Sequence, residues 1–281
     1  MKVIDTHQHL LYPDRFRYPW LKDVPPLSGA RFGLQEYRAA AQNTGIEQTL
    51  FMEVDVDESQ MEEEARFFLD LADDSASNII GVIAAARPER GDFEAQVNRV
   101  MHPRLKGFRR VLHTQPDSLC EDSRFIANIE TLARYHLTFD LCLLPRQLPR
   151  ASRLLGNAGD VQFILDHCGV PNIKGHEMDA WRESIRRIAA FPNLACKVSG
   201  VAAYCDPAQV TVEAIRPYVE HCIDCFGWDR VLFGGDWPVC NLTANLCRWV
   251  EIIREILGAE SVARCEQFFH RNAERIYRLN P

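Results

Sequence analysis

Eight short apolar runs alternate with longer amphipathic segments along this chain, and this alternation limits its fold more than any other feature. Each run is four to seven residues long and rich in Val, Ile, Leu or Phe, which is typical of strands buried on both faces. The segments between the runs place apolar residues three or four positions apart, as amphipathic helices do. The predicted strands are Val3–Thr6, Thr49–Val54, Ile79–Ala85, Leu105–Val111, Thr138–Leu143, Val161–Leu165, Leu194–Val198 and Arg230–Phe233. The clearest predicted helices are Met61–Ala72, Ala180–Phe191, Val210–Phe226 and Ala244–Leu257.

The number and spacing of these units favour one fold class. Eight strand–helix units in 281 residues correspond to about 35 residues per unit, so we predict an α/β fold, a (β/α)8 TIM-type barrel formed by a single domain over residues 1–281. An open doubly wound sheet is the alternative, and it would require a Gly-rich phosphate turn after the first strand. The chain instead has Thr6, His7, Gln8 and His9 at that point, so a dinucleotide site is not expected.

Composition and charge exclude several classes of partner. The net charge is −7, so no basic surface for nucleic acid is expected. No apolar run approaches the roughly 20 residues that span a bilayer, and the polar N-terminus does not resemble a signal peptide, so we expect a cytoplasmic protein without a membrane partner. The ten cysteines are therefore expected to be thiols. Cys222 and Cys225 have CxxC spacing without the second pair of a zinc site, and we interpret them as packed helix-face thiols.

Residues 10–33 form an unusually long connection after the first predicted strand. Four prolines stiffen it, and it carries large side chains that include Trp20. In a barrel this connection emerges at the C-terminal mouth, where active sites form. We predict a long loop over that mouth, which serves either as a functional lid or as a structural wrap.

Candidate catalytic residues follow three of the predicted strands. His7 and His9 are two residues apart at the end of the first strand, so both imidazoles point to the same side and can bind a divalent metal or donate to one oxyanion. His167 follows the sixth strand, and Asp236 follows two glycines after the eighth. Taken alone, each also has a purely structural interpretation: His7 and His9 as a pair that occurs by chance, His167 as a capped residue in a turn, and Asp236 as the cap of the next helix. Because the first and last strands of a closed barrel are neighbours, we predict that these residues meet at one mouth.

Six segments of the chain resemble, in order, those of the amidohydrolase superfamily, and more closely its branch of lactone hydrolases that act on sugar lactones and related cyclic esters. The resemblance spans the whole chain and implies a hydrolase on a barrel. No single segment is decisive, whereas six in the same order are specific to the family. They are Ile4–His9, Lys106–Arg109, Leu165–Pro171, Lys197–Gly200, Gly234–Pro238 and Asn272–Tyr277.

The resemblance also bears on metal binding, because this chain departs from the metal-dependent members. Those members place a further His at the end of the fifth strand, near the position of Cys142 in this chain. Lys106 lies at the start of the fourth strand and not at the end that would hold a carboxylated lysine. A binuclear centre is therefore not expected, and we expect that no metal is required. His7, His9 and Asp236 can still hold a single divalent ion such as zinc, with water as the fourth ligand.

For the site itself, the resemblance implies hydrolysis of an ester by water. Asp236 would act as the general base, and His7, His9 and His167 would polarise the lactone carbonyl. The expected substrate contacts are Arg109, which is preferred over Arg110, together with Glu53, Lys197, Trp20 and Trp237, while His113 is a weaker candidate.

Several substrate hypotheses stay open. The first is a small aldonolactone such as L-fuconolactone or L-rhamnonolactone, which agrees with the lack of a dense arginine cluster. The enzymatic alternatives are hydrolysis of a dicarboxylate lactone and a zinc-dependent decarboxylation within the same superfamily. The non-catalytic alternative is a barrel that only binds sugar. A monomer or a homodimer is expected.

Overall fold

In the computed structural model, which describes residues 1–175 and 177–279, eight parallel strands form one sheet whose order follows the chain. The strands are β1 Val3–Gln8, β2 Ile46–Met52, β3 Ile79–Ala85, β4 Leu105–Val111, β5 Thr138–Cys142, β6 Phe163–Leu165, β7 Leu194–Val198 and β8 Val231–Phe233. A parallel bridge between Gln8 and Trp237 joins β1 to the segment after β8 at the C-terminal end of the barrel. The predicted (β/α)8 barrel is confirmed; residues 176, 280 and 281 of the predicted domain lie outside the described residues.

Helices connect successive strands and follow the last one. They are α1 Leu34–Ala40, α2 Met61–Asp73, α3 Phe93–Arg99, α4 Ser123–Glu130, α5 Ala151–Asn157, α6 Asp179–Ala189, α7 Val212–Phe226, α8 Leu246–Ile256, α9 Val262–Glu266 and α10 Asn272–Ile276. The four predicted helices agree with α2, α6, α7 and α8 to within two residues at each end. None of the helices in the described part of the chain is long and apolar enough to cross a membrane.

Two apolar layers hold the fold together. The outer layer lies between strands and helices, where Phe68 of α2 stacks on Phe51 of β2. The inner layer lies inside the barrel and contains Ile4, Leu50, Met52, Ile83, Ile164, Ala195 and Leu232. Ile276 and Tyr277, at the end of α10, pack against this inner layer. Polar side chains that follow the strands, such as His9, His167 and Asp236, gather at the C-terminal end of the barrel.

A β-bulge in β1 directs the histidines into the barrel. Between Asp5 and Gln8 the register slips, so that three steps along β1 face two steps along β2. Because side chains alternate along a strand, one extra residue reverses their direction. Ile4 before the bulge and His7 after it therefore both point inward.

Candidate active site

A cavity of about 270 Å³ opens at the C-terminal mouth of the barrel. Its polar wall includes His9, Asp55, Arg109, His113, Thr114, His167, Tyr204 and Asp236. Its apolar wall includes Leu11, Trp20, Val54, Val111 and Val239. These residues follow six different strands, as expected for a barrel active site, and the volume suits one small molecule.

The long loop after β1 supplies one side of this cavity. An antiparallel bridge between Leu11 and Phe32 closes the loop at its base. Trp20 lies in a short helical turn of the loop, and its Nε1 donates to the carbonyl oxygen of Val54 at 2.8 Å. The indole of Trp20 is thereby fixed as a wall of the cavity.

Three potential ligand atoms form a triangle at the base of the cavity. Nε2 of His7 and Nε2 of His9 are 3.1 Å apart. Oδ1 of Asp236 lies 3.7 Å from the first and 3.6 Å from the second. The structure therefore brings together the two histidines and the aspartate that the sequence placed at one mouth.

Bonds between β1 and the segment after β8 fix this triangle. The backbone N–H of Asp236 donates to the carbonyl oxygen of His7 at 2.8 Å. Below it, Oδ1 of the fully buried Asp5 accepts from the backbone N–H of His7 at 2.9 Å and from that of Gly235 at 2.6 Å. A side chain at position 235 would collide with Asp5, since its Cβ would lie 2.4 Å from Oδ2. The two glycines before Asp236 thus allow the close approach of the two segments.

The positions of the imidazole protons decide what these histidines can bind. Nδ1 of His9 lies 3.0 Å from the carbonyl oxygen of Met52 and donates to it, so Nε2 of the neutral ring carries a lone pair. Nδ1 of His7 lies 3.4 Å both from an acceptor, Oδ1 of Asp166, and from a donor, Nζ of Lys197. Two arrangements of the His7 proton are therefore possible. With the proton on Nε2, His7 donates to Nε2 of His9; with the proton on Nδ1, Nε2 of His7 and Nε2 of His9 both carry lone pairs that can bind a cation.

The triangle fits a divalent metal ion. Zinc with nitrogen and oxygen ligands in tetrahedral geometry sets its ligand atoms about 3.3 Å apart, close to the distances found here. Charge favours a cation as well, because buried carboxylates outnumber buried cations around the histidines. The carboxylates are Asp5, Glu53, Asp140, Asp166 and Asp236, and the cations are Arg109 and Lys197.

Arg109 points into the barrel and reaches the histidines. Its NH1 lies 3.4 Å from Nε2 of His7, while its Nε donates to Oε1 of Glu53 at 2.6 Å. Burial raises the pKa of Glu53, but Arg109, the backbone N–H of Asp55 and Arg87 together outweigh burial and hold that pKa below its ordinary value. Arg110 turns the other way and pairs with Glu89 at 2.6 Å. Oε2 of Glu53 also accepts from the backbone N–H of Asp55, so each carboxylate oxygen has a partner and one of them holds Arg109 in place. A contact between Glu53 and substrate hydroxyls stays a prediction.

Lys197 lies beneath the histidines and not in the cavity wall. Its side chain is fully buried, with Nζ 2.6 Å from Oδ1 of Asp140 and 3.1 Å from Oδ1 of Asp166. The hydroxyl of Tyr277 also donates to Oδ1 of Asp140 at 2.9 Å. Burial raises the pKa of Asp140 to about 6. The sequence predicted a direct contact between Lys197 and the substrate. In the structure its ammonium is buried below the histidines, where it binds Asp140 and Asp166 and so supports the site.

Trp237 is likewise turned away from the cavity. Its ring packs edge-on against Phe32 and Tyr37, with centroids 5.5 and 5.4 Å away, and only 2% of the residue is exposed. A stacking surface for a sugar, which the sequence suggested for both tryptophans, is therefore available only on Trp20.

His167 forms the side of the site next to Asp236. Its Nδ1 lies 2.9 Å from Oγ of Ser199, and its ring centroid is 4.4 Å from that of His7. Burial lowers the pKa of His167, so the ring is neutral near pH 7. A serine hydroxyl can donate to Nδ1, and in that arrangement the proton of His167 is on Nε2, where it can be donated to a bound oxygen.

Gly200 is required by the packing of His167 against Asp236. Its φ is +62°, and a Cβ there would lie 2.5 Å from Nδ1 of His167 and 2.7 Å from Oδ2 of Asp236. We expect Gly200→Ala to lower kcat by about 100-fold, because a shift of about 1 Å in catalytic groups has that effect. Steady-state kinetics on the purified variant measure it.

Gly227 provides the matched control for this substitution. Its φ is +71°, but a Cβ there would meet nothing within 4 Å. Gly227→Ala imposes backbone strain at least as large as Gly200→Ala does, because ψ is 165° at Gly227 and −8° at Gly200, but it does not touch the site. We therefore expect it to keep the wild-type kcat. Equal losses in the two variants would show that Gly200 acts only through stability.

Several site residues were not singled out from the sequence. Asp166, Asp140, Ser199 and Tyr204 all contact the predicted residues or line the cavity. A usable signal existed for two of them, because Asp140 interrupts an apolar strand and Asp166 directly precedes His167. A charged residue inside a buried strand requires a partner, and here Asp140 finds it in Lys197.

Comparisons with known proteins reveal a family and close relatives in fold. A family model described as Amidohydrolase matches residues 4–279. An L-fucono-1,5-lactonase from Burkholderia multivorans is 28% identical over 93% of this chain and 95% of that protein. An L-fucono-1,5-lactonase from Burkholderia ambifaria is 26% identical over 99% of this chain and 96% of that protein. A crystal structure of a zinc-bound amidohydrolase from Burkholderia multivorans covers 100% of both chains with a TM-score of 0.89 and 24% identity, which demonstrates the same fold.

Proposed function

Since this chain belongs to the amidohydrolase family and is a hydrolytic enzyme, we propose that it opens the ester ring of a small neutral sugar lactone of the L-fuconolactone or L-rhamnonolactone kind. The observation that carries this proposal is the position of Asp236 in the cavity wall, with its carboxylate within 4.0 Å of three imidazoles. A carboxylate beside neutral hydrogen-bond donors is what hydrolysis of an activated ester requires.

Each group in the site has a place in this reaction. Asp236 takes a proton from a water molecule as the water oxygen bonds to the lactone carbonyl carbon. The carbonyl oxygen gains negative charge, which the Nε2–H of His167 and the NH1 of Arg109 can stabilise. The bond to the ring oxygen then breaks, and the protonated Asp236 returns its proton to that oxygen. The product is a hydroxy acid, which releases one proton at neutral pH.

The walls of the cavity support a neutral substrate over a dicarboxylate. Arg109 is the one arginine among the lining residues described, and Glu53 offsets its charge. Arg15 and Arg17, which a dicarboxylate would need, face Glu63 and Asp57 instead. The apolar wall that includes Trp20 and Val111 suits the methyl group and ring face of a deoxy sugar.

A single divalent metal ion is part of this proposal and replaces the expectation that none is required. His7, His9 and Asp236 would hold it, and their spacing is the supporting observation. When bound there, such an ion would supply Lewis acidity toward the carbonyl and lower the pKa of water. Asp166 would orient His7 from behind, as carboxylates commonly do for metal-binding histidines.

We expect the purified protein to bind one zinc ion per chain, and His9→Gln to weaken this binding by about 100-fold or more, because one of three ligands is lost. Equilibrium dialysis with metal analysis measures both. Cys222→Ser is the control, since the buried thiols of Cys168, Cys196 and Cys222 lie within 4.8 Å of one another and could hold a metal of their own. Zinc binding that Cys222→Ser abolishes and His9→Gln leaves intact would contradict the assignment.

A panel of lactones followed by proton release tests the function. It should contain neutral aldono-1,4- and aldono-1,5-lactones, a dicarboxylate lactone, and an aromatic carboxylate monitored for loss of carbon dioxide. We expect the highest kcat/KM for a neutral deoxy aldonolactone. A preference for the dicarboxylate would overturn the substrate class, and decarboxylation without lactone hydrolysis would overturn the reaction.

A further inference from the structure

His113 and Cys142 form a hydrogen-bonded pair in the cavity wall, separate from the triangle of His7, His9 and Asp236. His113 follows β4, and Cys142 ends the neighbouring strand β5. Nδ1 of His113 lies 3.1 Å from Sγ of Cys142, and both residues line the cavity. Nothing in the reaction described above uses this pair.

The charges and chemistry of the pair favour one arrangement of its protons. Burial raises the pKa of the Cys142 thiol, and burial, followed by the nearby Arg109, lowers the pKa of His113 to about 4. Both groups are therefore uncharged near pH 7. A thiol is both a weak donor and a weak acceptor, whereas a neutral imidazole nitrogen is a good acceptor, so we assign the S–H of Cys142 as the donor to Nδ1. The single proton of the imidazole must then be on Nε2.

This arrangement leaves a free donor at the cavity. Within residues 1–175 and 177–279, Nε2 of His113 has no hydrogen-bond partner, so solvent satisfies it when the cavity is empty. A ligand that fills the cavity displaces that solvent. An unsatisfied N–H in an occupied cavity is unfavourable, so a ligand with an acceptor at this point is preferred over one without it.

We propose that His113 is a specificity-determining residue whose Nε2–H donates to one hydroxyl oxygen of the sugar lactone, and that Cys142 fixes the tautomer that makes this donor available. This inference rests on the proposed function and identifies a residue that recognises a hydroxyl group of the sugar. A neutral donor suits a hydroxyl, since it offers no charge to a carboxylate. In the proposed reaction the lactone carbonyl and the attacking water lie next to Asp236. His113 therefore contributes to substrate recognition and does not contact the bond that breaks.

A substrate–variant cycle tests the contact. His113→Leu removes the donor, whereas His113→Gln keeps an N–H at the end of a side chain of similar reach. On the preferred lactone we expect His113→Leu to lower kcat/KM about tenfold, mainly through KM, and His113→Gln to restore much of that loss. Among analogues that each lack one hydroxyl, one should be hydrolysed equally well by wild type and by His113→Leu. A loss that is the same for every analogue would overturn the inference.

The tautomer is tested without any substrate. Long-range ¹H–¹⁵N spectra of the histidine rings, assigned with His113→Gln, report which nitrogen carries the proton. We expect the Nε2–H form in wild type and in Cys142→Ser, whose hydroxyl can also donate, and a mixture of forms in Cys142→Ala. An Nδ1–H form in wild type would overturn the role of Cys142.

The two tests separate failure of this inference from failure of the proposed function. If no lactone is hydrolysed by the wild type, both proposals fall, and the spectra show only how the pair is protonated. If lactones are hydrolysed but the effect of His113→Leu is independent of their hydroxyls, the proposed function stands and the inference is wrong.

Discussion

Asp236→Asn is expected to lower kcat/KM for the preferred lactone by about 1,000-fold, because general-base catalysis contributes on that order. Asparagine has nearly the same shape as aspartate, so the bond from the backbone N–H of residue 236 to the carbonyl oxygen of His7 is kept. The amide cannot accept a proton from water near pH 7, and it cannot return one to the ring oxygen. Steady-state kinetics by proton release measure the effect.

Glu89→Gln is the matched control for this substitution. Glu89 is a carboxylate as well and pairs with Arg110 at 2.6 Å, but it does not line the cavity. We expect this variant to keep wild-type kcat/KM. Full activity in Asp236→Asn would show that another group is the base, even if the fold and the substrate class are correct.

Lys197→Met is expected to lower the free energy of unfolding by about 3–5 kcal/mol, which is the usual effect of removing one partner of a buried ion pair. The ammonium of Lys197 is the partner of Asp140 and lies between it and Asp166, and all three side chains are fully buried. Without it, two carboxylates face one another in the barrel interior without a cation between them. Urea unfolding of the purified variant measures the loss.

Two further variants show whether charge is the cause. Lys106→Met makes the same change at a partly exposed lysine of β4, and we expect a loss below about 1 kcal/mol there, as for surface charges. Adding Asp140→Asn to Lys197→Met removes one of the two carboxylates that have lost the lysine, and it should recover part of the lost free energy of unfolding. A Lys197→Met protein as stable as wild type would contradict the buried network.

Much of the fold was predictable because buried parallel strands leave a strong pattern. The bounds of β3, β4 and β7 coincide with the apolar runs Ile79–Ala85, Leu105–Val111 and Leu194–Val198. The regular alternation with helices then implies a barrel, and a barrel places the residues after its strands at one mouth. His7, His9, His167 and Asp236 could be brought together on that basis alone.

The details of the site were less accessible, because they depend on contacts between distant segments. The bulge in β1 that turns both Ile4 and His7 inward is a property of the pairing with β2. Glu53 is bound by Arg109 and Lys197 by Asp140, and neither pair is visible from local sequence. Trp237 packs under the long loop for the same reason.

Hydrolysis in ¹⁸O-labelled water shows whether water attacks the lactone carbonyl with Asp236 as the base. Wild-type enzyme, a neutral deoxy aldonolactone and mass spectrometry of the ring-opened product are sufficient. We expect one ¹⁸O atom in the carboxylate of the product, none in the released hydroxyl, and about 1,000-fold slower labelling with Asp236→Asn. Label in the hydroxyl, or a lactone that is not opened at all, would contradict this mechanism.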